Sequence, residues 1–288
     1  CRVDFPHLAG LLDYSLGSVG KRIRPILTFF AGKFYDYDIE HILPMAAAVE
    51  ILHTATLVHD DAVDKSSTRR GRATVNNLWG EEQAILLGDY LFAEAGALTA
   101  STGSLRTIKL FAETLKIISA GEISQALNAY NLKLTREQYF ERMAKKTAAL
   151  FVLSTEAGAV LSHAPEESIQ ILNEYGYNLG LAFQIQDDIL DIFGDEKSFG
   201  KKIGKDIIER KGGNIIMMLA LETLPKKEKE KILTIMQKNK VTSGEVGEIM
   251  KYIAKTDSEA YIEVYKRIRP GEMATAANAR GLIDGMFS

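Results

Sequence analysis

Between Pro44 and Pro165 the chain has no proline, and none again between Pro165 and Pro225. A proline inside a helix removes a backbone hydrogen bond and clashes with the preceding turn, so gaps of this length leave room for long helices. Hydrophobic spacing fills that room. Ile42, Met45, Val49, Leu52 and Thr56 recur at steps of three and four and line one helical face. Leu172, Tyr175, Leu179 and Phe183 do the same later. No sustained two-residue alternation with hairpin turn signals interrupts the pattern. "KSSTRRGRATVNN", "STGSL", "SHAPEES" and "FGDEKSFGKK" read as loops. With no low-complexity linker and no short repeat, residues 1–288 are expected to form one all-α domain.

Composition narrows what such a domain does. At 46% hydrophobic and 25% charged it is ordinary for a globular protein, and a net charge of -3 offers nothing to a nucleic acid. One cysteine, Cys1, excludes an internal disulfide framework and fits a reducing compartment, so a cytoplasmic enzyme is expected. No secretory signal is evident, although the chain opens on Cys1 rather than Met and its natural N-terminus is expected to be missing. No apolar run is expected to span a membrane. The nearest candidate, "AALFVLSTEAGAVLSHA", is broken by Glu156.

Charge is concentrated instead in "HDDAVDKSSTRRG", His59 to Gly71. Residues four apart share a helical face, so Asp60 and Asp64 point the same way and Asp61 lies a quarter-turn off. Like charges at that spacing repel, and acids at a helix C-terminus oppose its dipole, so something positive should offset them. "FQIQDDILD" repeats the D-D-x-x-D spacing at Asp187, Asp188 and Asp191, again after an apolar helix. Two such triplets facing each other across a bundle would form a hard-oxygen site suited to Mg²⁺, which binds one or two carboxylates, waters and substrate phosphates. A di-iron bundle would need Glu-x-x-His pairs, which neither cluster has. "GKRIRP" and "RRGR" supply Lys21, Arg22, Arg24, Arg69, Arg70 and Arg72, with Lys146 and Lys201 further on. Each alone is an ordinary surface charge. Together with the acids they imply a diphosphate substrate, because guanidinium forks match phosphate and lysine adds a point charge. No P-loop or dinucleotide glycine fingerprint points to a nucleotide.

"LVHDDAVDKSSTRRG" and "LGLAFQIQDDILD" resemble the two aspartate-rich motifs of the trans-isoprenyl (polyprenyl) diphosphate synthases. "GKRIRP", "GDYLF", "KKTAALF" and "GKKIGKD" resemble further family blocks, in order, from Gly20 to Asp206. The resemblance implies a helical bundle of the isoprenoid synthase type around a deep central cavity, acting as a homodimer. It implies a prenyltransferase that joins an allylic diphosphate to isopentenyl diphosphate with Mg²⁺ on Asp60, Asp64 and Asp187. Asp61, Asp188 and Asp191 fill the remaining catalytic motif positions. Arg69, Lys146 and Lys201 match positions that hold the leaving diphosphate, and Thr147 and Gln184 match substrate-binding positions. Lys21, Arg24, His53 and Arg70 match isopentenyl diphosphate ligands, and Lys211 can take a further lysine position.

The tail of the product would run along the helix before Asp60. Ala55 and Thr56 would be its first floor, and Leu52 and Phe92 a deeper stop. Small residues there predict a product of at least twenty carbons. His59 and Gly180 read as packing residues. Val19 and "IIERKGGNII" depart from the family pattern. Two other readings remain: a class I terpene cyclase, which needs no second diphosphate site, and a non-catalytic subunit that binds a prenyl diphosphate.

Overall fold

The computed structural model describes residues 4–17, 20–127, 135–194, 203–208, 214–238 and 241–256. Its elements are helices, with one short hairpin among the described residues. Helices α1 (Pro6–Leu16), α2 (Ile23–Lys33) and α3 (Ile39–Val63) precede strands β1 (Thr68–Arg69) and β2 (Arg72–Ala73). Then come α4 (Val75–Trp79), α5 (Glu81–Ser101), α6 (Leu105–Leu127), α7 (Arg136–Met143), a π-helical turn (Ala144–Ala148), α8 (Ala149–Leu161) and α9 (Glu166–Phe193). Four shorter helices follow: α10 (Lys205–Ile208), α11 (Ile215–Thr223), α12 (Lys226–Met236) and α13 (Ser243–Ile253). Residues 1–116 and 150–176 form one compact unit, and residues 117–149 and 177–288 a second.

In the first unit α3 is the central helix, packed against α5, α2, α4 and α1. Asp38 caps its start by accepting from the Glu40 N–H at 2.9 Å. Pro44 lies inside it and costs the backbone bond to the residue four earlier, without ending the helix. The expected stripe is buried: Ile42, Met45, Val49 and Leu52 have no exposed surface, and Thr56 is half-buried at its edge. By length and composition α3, not the Ala148–Ala164 segment, is apolar enough to cross a membrane, which corrects the expectation that no run is. Its stripe from Ile42 to Ala55 is buried within the unit, as in the core helix of a folded domain, while Ile39, Leu43 and Val63 are exposed.

The segment expected to be a plain loop after α3 contains the β1–β2 hairpin and the start of α4. Arg70 and Gly71 form its two-residue turn with φ of 51° and 77°, the paired left-handed conformation that suits tight hairpins. Strands of two residues are too short for hydrophobic alternation to show, and Arg-Gly is a weak turn signal beside Asn-Gly. That is why periodicity missed it.

The second unit has its own core, in which Tyr139, Ile185, Ile189, Ile207, Ile215, Ile232 and Ile249 are almost fully buried. A Thr135–Gln138 capping box starts α7, and Asn214 starts α11 by accepting from the Ile216 and Met217 N–H groups.

Candidate active site

The first triplet closes α3. At about 100° per residue, His53, Asp60 and Asp64 fall within about 40° of one another, and Asp61 lies roughly 60–100° further round. Burial follows this wheel. Asp60 is half-buried and Asp64 exposed, whereas Asp61 turns inward with 6% of its surface exposed. The Asp61 Oδ2 accepts from Arg69 Nε at 2.8 Å. The buried Oδ1 has no hydrogen-bond partner among the described residues.

The positive charge needed at this helix end is therefore supplied first by Arg69. Burial disfavours the charged Arg69 guanidinium, but the hydrogen bond and charge of Asp61, with the charges of Asp60 and Asp64, outweigh it and raise its pKa above the ordinary value. The hairpin that carries Arg69 is anchored at several points. The Thr74 hydroxyl and the Asn76 side-chain amide both donate to the Ser66 carbonyl, and the Tyr14 hydroxyl donates to the Ala73 carbonyl at 2.7 Å. The Arg72 guanidinium lies over the Tyr14 ring at 4.4 Å.

His53, two turns before Asp60, has its pKa pushed well below the usual histidine value. Burial is the largest cause, followed by the charges of Arg24, Arg70, Arg69 and Arg22. The charges of Arg24, Arg70, Arg69 and Arg22 thus act together on one imidazole. Arg22 is an addition to the expected set. It adopts a left-handed backbone (φ 49°), is held by Glu50 Oε1 at 2.6 Å and donates to the Leu16 carbonyl. Arg24 lies over the Phe151 ring at 4.7 Å. Lys21 is exposed and is not among the charges that depress His53.

His59 packs as expected rather than joining the carboxylates. Its Nε2 lies 3.0 Å from the Ile85 carbonyl and 3.4 Å from Asp89, and its ring meets Phe92 edge-on at 5.0 Å. Gly88 makes this possible, because a Cβ there would stand 2.2 Å from His59 Nε2. Of the product-floor residues, Leu52 and Ala55 are fully buried and Thr56 and Phe92 half-buried. Ala55 lies about 140° around α3 from Asp60. It belongs to the cluster with Leu12, Val58, Leu87 and Leu91.

In the second unit Asp187 and Asp191 are half-buried and Asp188 has 2% exposure. The described donors to the Asp188 carboxylate are neutral. Its Oδ2 accepts from the Tyr139 hydroxyl and the Ile215 N–H, both at 2.9 Å, and its Oδ1 accepts from Gln184 Nε2 at 2.9 Å. Asn214 Nδ2 donates to the Asp188 backbone carbonyl at 3.1 Å. The Gln184 Oε1 in turn accepts from the Thr147 hydroxyl at 2.8 Å. Thr147 and Lys146 lie in the π-helical turn, a local rewinding often found at functional sites. Gly180 lets that turn approach α9, since a Cβ on it would come within 2.5 Å of Ala148 Cα. Lys146 pairs with Glu122 at 2.7 Å. Lys201 and Lys211 lie outside the described residues. Sequence reading gave Tyr139 and Asn214 no role. An isolated tyrosine in "REQYFERM" and an asparagine after two glycines carry no spacing signal.

Among the described residues no three His, Cys, Asp or Glu side chains converge as a ready metal cage. A divalent metal still fits the donors present. Mg²⁺ takes one or two carboxylates and completes its shell with waters and phosphate oxygens, and in each triplet the outer two carboxylates are more exposed than the middle one.

A family model described as polyprenyl synthetase matches residues 5–253. The chain belongs to the polyprenyl synthetase family. It is 41% identical over 240 residues to the short chain isoprenyl diphosphate synthase of Methanocaldococcus jannaschii, covering 81% of this chain and 72% of that one. It is 35% identical to heptaprenyl diphosphate synthase component 2 of Geobacillus stearothermophilus, covering 83% and 73%. The fold matches the crystal structure of a Caulobacter crescentus polyprenyl synthase complexed with calcium and isoprenyl diphosphate. The TM-score is 0.88 at 32% identity, covering 99% of this chain and 88% of that one. The protein has the all-α isoprenoid synthase fold and is a trans-prenyl diphosphate synthase, a chain-elongating prenyltransferase.

Proposed function

We propose that this polyprenyl synthetase joins an allylic diphosphate to isopentenyl diphosphate in a Mg²⁺-dependent reaction. The trans product would have twenty carbons or more, with thirty to forty as the working range. The observation that carries this reading is Arg69. One guanidinium acts on all three aspartates of the first triplet and also on His53, so a carboxylate set and a basic set meet at one residue. That juxtaposition suits a diphosphate and the cation that travels with it. The calcium and isoprenyl diphosphate in the Caulobacter relative support a divalent metal and this substrate class.

Asp60, Asp64 and Asp187 would hold the metal. When bound, Mg²⁺ supplies positive charge that stabilises the departing diphosphate. Arg69, Lys146 and Lys201 would hold the allylic diphosphate, and Arg24, His53, Arg70 and Lys21 the isopentenyl diphosphate. The allylic C–O bond breaks and its electron pair leaves with diphosphate. The isopentenyl double bond attacks the carbon left behind, a proton is lost to the released diphosphate, and an alkene is restored. Positioning and electrostatics dominate such a step, and water must be kept out. The size of Ala55 and Thr56 would leave the product floor open. We further propose that the enzyme is cytoplasmic and works as a homodimer. Exposed Leu78, Ile85 and Leu86 support the homodimer by giving the first unit apolar surface to cover. The test is enzyme stripped with a chelator. Incorporation of labelled isopentenyl diphosphate should stop and return with Mg²⁺. Incorporation that persists in excess chelator would reject the metal assignment.

A further inference from the structure

Tyr139 is fully buried, yet its hydroxyl bonds the middle aspartate of the second triplet rather than a backbone carbonyl. The bonds that converge on Asp188 have fixed donors and acceptors. A carboxylate accepts and does not donate, so the Gln184 group facing Asp188 Oδ1 is the amide nitrogen. The other end of that amide is then its oxygen, which accepts from Thr147. The chain of bonds leaves α7 at Tyr139, crosses to α9 through Asp188 and Gln184, and returns at Thr147 in the π-helical turn that follows α7. Tyr139 and Thr147 thus lie eight residues apart on one continuous stretch, and α9 is bonded to both ends of it. Rotation of α9 against that stretch would break both attachments.

Two neighbours of this circuit have roles in the proposed reaction. Asp187 precedes Asp188, so holding Asp188 inward sets the side of α9 from which the Asp187 carboxylate projects, about 100° away. Lys146 precedes Thr147. We propose that Tyr139 is a positioning residue for the prenyl transfer. By donating to Oδ2 it holds the Asp188 carboxylate inward, which keeps Oδ1 in place for Gln184 Nε2 and fixes from which side of α9 Asp187 projects. The Ile215 N–H donates to the same Oδ2 as Tyr139 and Asn214 Nδ2 to the Asp188 backbone carbonyl, so the start of α11 belongs to the same tether. This inference rests on the proposed function and deepens it.

Tyr139→Phe removes one oxygen from a buried ring and keeps its packing. It is compared with wild type, Gln184→Leu and the double variant in steady-state incorporation of isopentenyl diphosphate, with folding followed by thermal melting. Residues that orient a reacting group typically matter by about tenfold to a hundredfold. Tyr139→Phe should lower kcat by that factor and leave KM for isopentenyl diphosphate unchanged. The double variant should be no slower than Gln184→Leu, because the two changes cut one chain. Defects that multiply, or a Tyr139→Phe enzyme with kcat close to wild type, would overturn the positioning role. A wild-type protein that incorporates nothing would instead bring down the functional reading, and this inference with it.

Discussion

The two aspartate triplets share one spacing and one burial pattern but not one kind of tether. In each, the middle aspartate turns inward and the outer two stay more open. At the end of α3 the inward Asp61 meets a charge, Arg69, whose side chain is 34% exposed. In α9 the inward Asp188 meets a phenol, a side-chain amide and a backbone N–H, all drawn into the second unit's core. D-D-x-x-D therefore encodes two presented carboxylates and one anchor. The anchor's chemistry is chosen locally. Beside a solvated hairpin the described anchor is an ion pair, and in the core the described donors to Asp188 are neutral groups.

The sharpest break in this comparison should come from the outer aspartates. Asp60→Ala and Asp187→Ala are each expected to cut kcat by about a thousandfold or more with little change in melting temperature, read by product assay and calorimetry. Near-normal turnover in either variant would remove that residue from the metal set. The inward aspartates should behave oppositely in stability. Asp188→Ala strands two buried donors and one half-buried donor and is expected to cost roughly 3–5 kcal/mol. Asp61→Ala frees Arg69 to reach water and should cost only about 1–2 kcal/mol. Urea denaturation separates them, and equal losses would show that the tethers are equivalent.

Much of this was legible in the sequence, for identifiable reasons. Helices α3 and α9 follow from a period that one face of burial imposes, and both triplets stand out because acids are rare at the end of an apolar run. The assignment of Asp61 and Asp188 as inward anchors was not legible, because spacing alone does not say which of three carboxylates finds a buried donor. The direct Asp61–Arg69 pair was hidden as well. The charges in "HDDAVDKSSTRRG" were expected to meet through metal and diphosphate, and one pair meets directly. Arg69 reaches Asp61 only because of a hairpin too short to leave a pattern. Tyr139 and Asn214 become visible only when α7 and α11 are packed on α9.

Smaller effects refine the first unit. Ala55→Phe and Thr56→Phe should both shorten the product as sized by mass spectrometry. Ala55→Phe must also overpack the cluster with Leu87 and Leu91, at about 1–3 kcal/mol, whereas half-buried Thr56→Phe should spare stability. Unchanged product length in both would reject the floor.

The smallest expected effect is a slope. Burial and the surrounding arginines keep His53 neutral in the folded protein, whereas the unfolded chain protonates it near pH 6.5. Folded-state pKa is the lower one, so its stabilisation is complete above about pH 6.5 and declines as pH falls below it. His53→Gln should flatten that acid limb by about one proton in denaturation curves taken at stepped pH. An unchanged slope would place His53 outside the basic set.

The central claim is that these carboxylates and guanidinium groups serve five-carbon chain growth. Its most direct test supplies the purified protein with Mg²⁺, labelled isopentenyl diphosphate and geranyl, farnesyl or geranylgeranyl diphosphate, and sizes the extracted products by mass spectrometry. The account predicts a labelled ladder rising in five-carbon steps to twenty carbons or beyond. A folded protein that returns only its unlabelled allylic substrate, or an unlabelled cyclic hydrocarbon, would contradict it.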